Sequence, residues 1–104
     1  MKRDVFQAIA DPTRRAILVL IAAQAMTPNT VAEKFDTTRQ AVSKHIKILT
    51  ECKLLTRQKS GREVYYHFNS HKFLEIDIWL DQIKNLFENR FDQLDHVLSN
   101  LNSK

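Results

Sequence analysis

Thr37-Thr38-Arg39-Gln40-Ala41-Val42-Ser43-Lys44-His45-Ile46-Lys47-Ile48-Leu49 reads as one short helix, about residues 38–50, whose two sides have different uses. Val42, Ile46 and Leu49 recur at steps of four and three, which stacks them on one face, and Ile48 widens it. That face is expected in a core. Arg39, Gln40, Ser43, Lys44 and Lys47 fall on the other side, and no acid appears until Glu51. A merely solvated face mixes both signs of charge, so this one suits DNA. A threonine marks the helix start: Thr37 offers a capping box with Gln40, and Thr38 is the second candidate cap. Either choice places Arg39 and Gln40 in the first turn, the part of a recognition helix that reaches base edges in the major groove. There Gln40 can pair with adenine and Arg39 or Lys44 with guanine, while Ser43 and Thr38 suit phosphate.

Working upstream, Thr27-Pro28 is a cap followed by a proline whose missing N–H costs nothing in a first turn. It predicts a short helix to about Phe35 that buries Val31, Ala32 and Phe35. Asp11-Pro12 repeats the signal and predicts a helix to about Ala25, with Ile17, Leu18, Leu20 and Ile21 inward. Residues 2–10 form a candidate first helix carrying Val5, Phe6 and Ile9 on one side. Two short helices joined by a tight turn, the second basic outside, make a helix-turn-helix. Downstream, Leu54 to Lys59 reads as a strand, Ser60-Gly61 as a turn and Arg62 to Phe68 as the returning strand, a hairpin spanning about 55–68. Gly61 is the only glycine in the protein and stands where a hairpin needs positive φ. Val64, Tyr66 and Phe68 alternate with Glu63, Tyr65 and His67, while Arg57, Lys59 and Arg62 charge the tip. Such a wing sets cations against phosphate or the minor groove.

At 104 residues the chain is one domain, mainly α with a two-stranded β wing. The net charge of +4 is mild, but it is segregated. Residues 37–72 carry a local +6, residues 73–104 carry −3 and residues 1–36 carry +1. The concentration in the middle third supports an anionic partner without identifying it, and the helix and wing make double-stranded DNA the expected one. Cys52 is the only cysteine, which excludes an internal disulfide. Ala16 to Ala23 is the longest apolar run, far short of the roughly 18 residues a membrane span needs, and no signal-peptide block follows Met1 to Arg3. A cytoplasmic protein without membrane insertion is expected. Catalysis has no foothold: there is no glycine-rich phosphate loop and no Ser/His/Asp or Cys/His grouping, so neither an enzyme nor a cofactor is expected.

Ala8-Ile9-Ala10-Asp11-Pro12-Thr13-Arg14-Arg15-Ala16-Ile17-Leu18, then Ala41 to Leu49, then Gly61-Arg62-Glu63-Val64-Tyr65-Tyr66-His67-Phe68, resemble the ArsR-type winged helix-turn-helix repressors, in the same order and over nearly the whole chain. The branch without the metal-binding cysteines is the nearest. The resemblance implies a homodimeric transcription regulator, commonly a repressor of its own operon. Gln40 stands where proline is frequent in the family, and Asp36 and Lys53 stand where glycine is common; the latter two put turn geometry in question. Positions matching the family's thiolates carry Thr27 and Asn29, poor ligands for soft metals. The last helix offers Asp77, Asp81, Asp92, Asp95 and His96 without the family's Asp-x-His spacing, so no metal site is expected.

Beyond Asn69-Ser70, apolar residues continue at steps of three and four through Ile76, Leu80, Ile83, Phe87, Phe91, Leu94, Leu98 and Leu101, broadened by Trp79, Leu86 and Val97. A helix over about 72–102 would be about 45 Å long, more than a compact domain of this size can cover. The expected cover is a second copy, with Ile83, Phe87, Phe91, Leu94 and Leu98 joined by Val5, Phe6 and Ile9, giving a dimer through N- and C-terminal helices. Recognition helices about 34 Å apart would then read an inverted repeat. His45 borders the buried face and is expected to pack rather than touch DNA. Cys52 reads as an apolar filler, or as a redox switch if Lys53 and Arg57 lower its pKa. A metal-responsive repressor and a protein-binding adaptor on the same scaffold are the competing functions. The sequence shows no effector site, which leaves control to protein abundance or to an unidentified sequestering partner.

Overall fold

The computed structural model describes residues 4–102, with side chains described through residue 89. Its elements, in order, are α1 (Val5–Ala8), α2 (Pro12–Ala23), α3 (Pro28–Phe35), α4 (Arg39–Glu51), β1 (Leu55–Ser60), β2 (Glu63–Phe68) and α5 (Ser70–Asn102). Residues up to Leu74 form one compact unit and those from Glu75 a second. No helix among the described residues is long and apolar enough to cross a membrane.

α1 is shorter than the sequence suggests. Asp4 starts it through a capping box, its carboxylate accepting from the Gln7 N–H at 2.8 Å while the Gln7 amide oxygen accepts from the Asp4 N–H at 2.9 Å. Its end is set from outside. Arg14 Nε donates to the Ala8 carbonyl at 2.6 Å and Arg15 donates to that of Ile9 at 2.8 Å, so two guanidinium groups of α2 satisfy carbonyls that a longer helix would have used itself. Asp11 caps α2 by accepting from the Arg14 N–H at 2.9 Å, and this bond holds its carboxyl below the ordinary value.

α2 stops at Ala23 rather than near Ala25 because Met26 is claimed by the wing. The Met26 N–H donates to the Tyr66 carbonyl at 3.3 Å, and the Tyr66 N–H donates back at 2.8 Å. This one-residue bridge covers the outer edge of β2, which has β1 on its other side. Between α3 and α4 the backbone turns through Asp36 at φ 50°, ψ 51°, and the Thr37 N–H closes on the Ala32 carbonyl at 3.2 Å. Thr38, not Thr37, is the cap of α4: its hydroxyl accepts from the Ala41 N–H at 3.2 Å.

The core of the first unit is drawn from its helices and the base of the wing. Ile17 and Ile21 of α2, Val31 of α3, Val42, Ile46 and Leu49 of α4, and Leu54 and Leu55 at the wing base are all but fully buried. Each such side chain contributes about 1.5–3 kcal/mol of burial. Ile48, Leu20 and Phe35 are only half-buried. Val5 is 1% exposed within its own chain, in a helix that packs on α4. It therefore belongs to the subunit core and is not available to a second copy, which corrects its assignment to a dimer surface.

The wing pairs Leu55 with Phe68, Arg57 with Tyr66, Lys59 with Val64 and Ser60 with Glu63. That register leaves Gly61-Arg62 as the two-residue turn, one position later than the expected Ser60-Gly61. Gly61 has φ +64° while Arg62 does not have positive φ, the pattern of a type II′ turn. At the wing base Asn69 does three things. Its N–H donates to the Leu54 carbonyl at 2.9 Å, its amide donates to that of Lys53 at 2.9 Å, and its amide oxygen accepts from the Lys72 N–H at 3.4 Å, starting α5. Phe68 and Phe73 stack tilted at 5.4 Å beside it.

In the second unit, α5 carries Ile78, Trp79, Leu80, Ile83, Leu86 and Phe87 at 38–66% exposure. The expected contacts at Phe91, Leu94 and Leu98 lie outside the described side chains.

The two non-glycine residues with positive φ are Asp36 and Lys53, at φ 50° and 69°. These are the two positions where the resemblance leads one to expect glycine, and the left-handed region costs an L-residue about 1–2 kcal/mol. Lys53→Gly is therefore expected to raise stability by about 0.5–1 kcal/mol after the unfolded-state entropy of glycine is counted. Urea denaturation tests it: the midpoint should rise at constant slope, and an unchanged midpoint would mean the turn holds no strain.

Candidate nucleic-acid interface

The helix-turn-helix and the wing enclose one concave surface. A cleft of about 590 Å³ is lined by Arg39 and Ser43 of α4, by Arg57, Arg62 and Glu63 of the wing, and by Asn29, Thr30 and Glu33 of α3 with its cap Thr27. Each group arrives by a different route. The Thr38 cap sets the first turn of α4 and so directs Arg39 outward, while burial of Val42 and Ile46 turns Ser43 into the cleft wall. Strand alternation places Arg57 and Lys59 on the same hairpin face as Val64 and Tyr66, and Tyr66 also lines the cleft. The Met26–Tyr66 bridge holds that face against the entry to α3.

Of the residues expected to touch DNA, the structure therefore brings Arg39, Ser43, Arg57 and Arg62 together. Lys47 borders a second crevice of about 300 Å³, between the later turns of α4 and the wing base, with Ser43, Thr50, Arg57 and Tyr66. Thr38, Gln40, Lys44 and Lys59 are exposed and line neither hollow. The Thr38 hydroxyl oxygen already accepts the cap bond, and the hydroxyl can still donate its own hydrogen. The first turn of α3 was not anticipated as part of this surface, although the Thr27-Pro28 signal marked a helix start at the right place. Thr27 is occupied as the cap, accepting from the Thr30 N–H at 3.3 Å.

His45 turns away from the cleft. Its Nδ1 lies 3.9 Å from the Asp11 carboxylate, with the side chain 27% exposed, so it packs between α4 and the start of α2 without the hydrogen bond expected of it. Cys52 is 5% exposed, its thiol donates to the Leu49 carbonyl at 3.3 Å, and burial pushes its pKa up. The cations at Lys53 and Arg57 do not reverse that effect, so the chemistry required of a thiolate redox switch is opposed here. No cluster of three potential metal ligands occurs among the described residues, and the side chains of Asp92, Asp95 and His96 lie outside the described ones.

Known proteins share both this sequence pattern and this geometry. A helix-turn-helix domain model matches residues 9–58. The transcriptional repressor SdpR of Bacillus subtilis is 34% identical over 77 residues, which is 74% of this chain and 86% of that protein. An ArsR-like transcriptional regulator from Rhodococcus sp. RHA1 superposes with a TM-score of 0.70 at 27% identity, covering 89% of this chain and 88% of its own. The chain belongs to the ArsR family of winged helix-turn-helix regulators. A homodimeric winged helix-turn-helix DNA-binding domain from Mycobacterium bovis, 18% identical with a TM-score of 0.65 over 78% of this chain and 75% of its own, shares the fold. Within this ArsR-family chain, the matched segment ends inside β1, so the rest of the wing is assigned by structure rather than by that model.

Two measurements test the surface. Arg62→Ala is expected to weaken binding to all DNA sequences alike and to reduce the salt slope by about one, whereas Arg39→Ala should cost about 1–3 kcal/mol and relax preference at one base position. Equal losses on operator and random DNA for both variants would remove base reading from Arg39. For Cys52, iodoacetamide should label the unfolded protein readily and the native protein only at the rate of unfolding; rapid native labelling would restore the redox reading.

Proposed function

We propose that this protein acts as a homodimeric transcriptional repressor that binds an inverted-repeat operator in double-stranded DNA. The observation that supports it most is the joining of Arg39 and Ser43 with Arg57 and Arg62 on one concave face. Cations from two elements on one face suit a backbone strand running between the recognition helix and the wing, while exposed Gln40 and Lys44 suit base edges. SdpR, over most of whose length the chain aligns, is by name a transcriptional repressor.

The dimer is supported by α5. Ile83 is 42% exposed in the single chain, within a run of exposed apolar residues that water disfavours and a second α5 would cover. Phe6 at 38% and the half-buried Ile9 suit the same interface from the N-terminal side. The Mycobacterium bovis domain of the same fold is described as homodimeric. The double use of one operator then follows from symmetry: two identical readers about 34 Å apart match two half-sites.

Selection of bound duplexes from a random pool tests the reading as a whole. The expected result is a palindromic site whose affinity falls about 10³-fold between 50 and 200 mM salt. A protein-docking adaptor would enrich no sequence and respond little to salt. Ile83→Asp should yield a monomer by sedimentation and lose about 10²-fold or more in operator affinity through lost bivalency. A wild-type protein that sediments as a monomer at micromolar concentration would overturn the dimer.

A further inference from the structure

Glu63 is the only acid in the hairpin 55–68, and it stands next to Arg62 at the edge of the cleft. A carboxylate there opposes what the three wing cations do, since it repels any phosphate they attract. It is not loose. Its Oε2 accepts from the Tyr65 hydroxyl at 2.9 Å. By strand alternation Glu63 and Tyr65 share the hairpin face opposite Arg57, Lys59, Val64 and Tyr66. The bond therefore lays the carboxylate along its own strand, although the residue also borders the cleft that Arg57 and Arg62 line. The same bond and the charge of Glu63 raise the phenol pKa of Tyr65, which keeps the hydroxyl a donor.

We propose that Glu63 limits how strongly the wing draws on DNA phosphates, and that its clasp to Tyr65 keeps that repulsion partial. Glu63 supplies the repulsion, and Tyr65 is a positioning residue that holds the carboxylate away from the path of the backbone. The inference rests on the DNA-binding reading above. Its consequence is on affinity rather than on sequence choice, because phosphate contacts carry no base information. One unit of repulsion at about 6 Å in a water-like dielectric changes affinity about threefold.

Fluorescence anisotropy with the selected operator and with a random duplex, over a range of salt, tests it. Glu63→Gln should tighten both duplexes about threefold for each wing engaged, with a steeper salt slope and an unchanged ratio between them. Tyr65→Phe should weaken both, by about twofold, and should have no effect once Glu63→Gln is present. Glu63→Asp keeps the charge but falls a methylene short of the hydroxyl, so it should behave like Tyr65→Phe. Unchanged affinity in Glu63→Gln, with the wild type binding normally, would overturn the clasp alone. Equal effects of Tyr65→Phe in both backgrounds would do the same. A wild type that shows no salt-dependent binding would overturn the DNA reading together with it.

Discussion

The structure depends on burying one face of α4 while leaving the other bare. Val42, Ile46 and Leu49 are within 2% of complete burial, and α4 packs against α1, α2, α3 and β1. Because 3.6 residues make a turn, fixing the three apolar residues inward fixes the rotation of the helix, and Arg39, Ser43, Lys44 and Lys47 have nowhere to go but outward. The same hydrophobic term that stabilises the domain thus aims the cations.

Around that helix, the remaining elements are joined by backbone groups that find partners across gaps in sequence. Arg14 and Arg15 satisfy the end of α1, Met26 pairs with Tyr66, and Asn69 ties the wing base to the exit of α4 and the start of α5. Buried or half-buried backbone groups left unpaired would cost more than the bonds return, so each contact also sets a boundary. The Met26 bridge is the most consequential, since it fixes the wing relative to α3 and so gives the cleft its width. Two left-handed residues, Asp36 and Lys53, bracket α4 and tolerate strain to make both turns tight.

The wing itself is two-faced. Arg57 and Lys59 look the way of Val64 and Tyr66, while Glu63 and Tyr65 occupy the reverse. A hairpin carrying only cations would bind any polyanion; one with an acid held on its back has its attraction graded. Attraction strong enough to hold DNA but weak enough to release a wrong site is what a regulator searching a genome requires.

Much of this was legible in the residues. The proline-backed caps at Asp11 and Thr27 located α2 and α3 to the residue at their starts, because a cap is a local hydrogen bond that needs no tertiary partner. The apolar steps in α4 named its buried side, and Gly61 located the wing turn to within one position. What the sequence could not settle was where elements end and which faces meet. α2 loses its last turn to Met26, Thr37 yields the cap to Thr38, Val5 turns from a surface into a core residue, and the first turn of α3 joins the cleft. Apart from the cap, which local bonds decide, each of these is set by a partner far along the chain, whose position exists only once the fold is assembled. The order of helices, the wing and the cationic face were thus set by local chemistry, and the cleft that brings Arg39 and Ser43 to Arg57 and Arg62 was made by tertiary pairing.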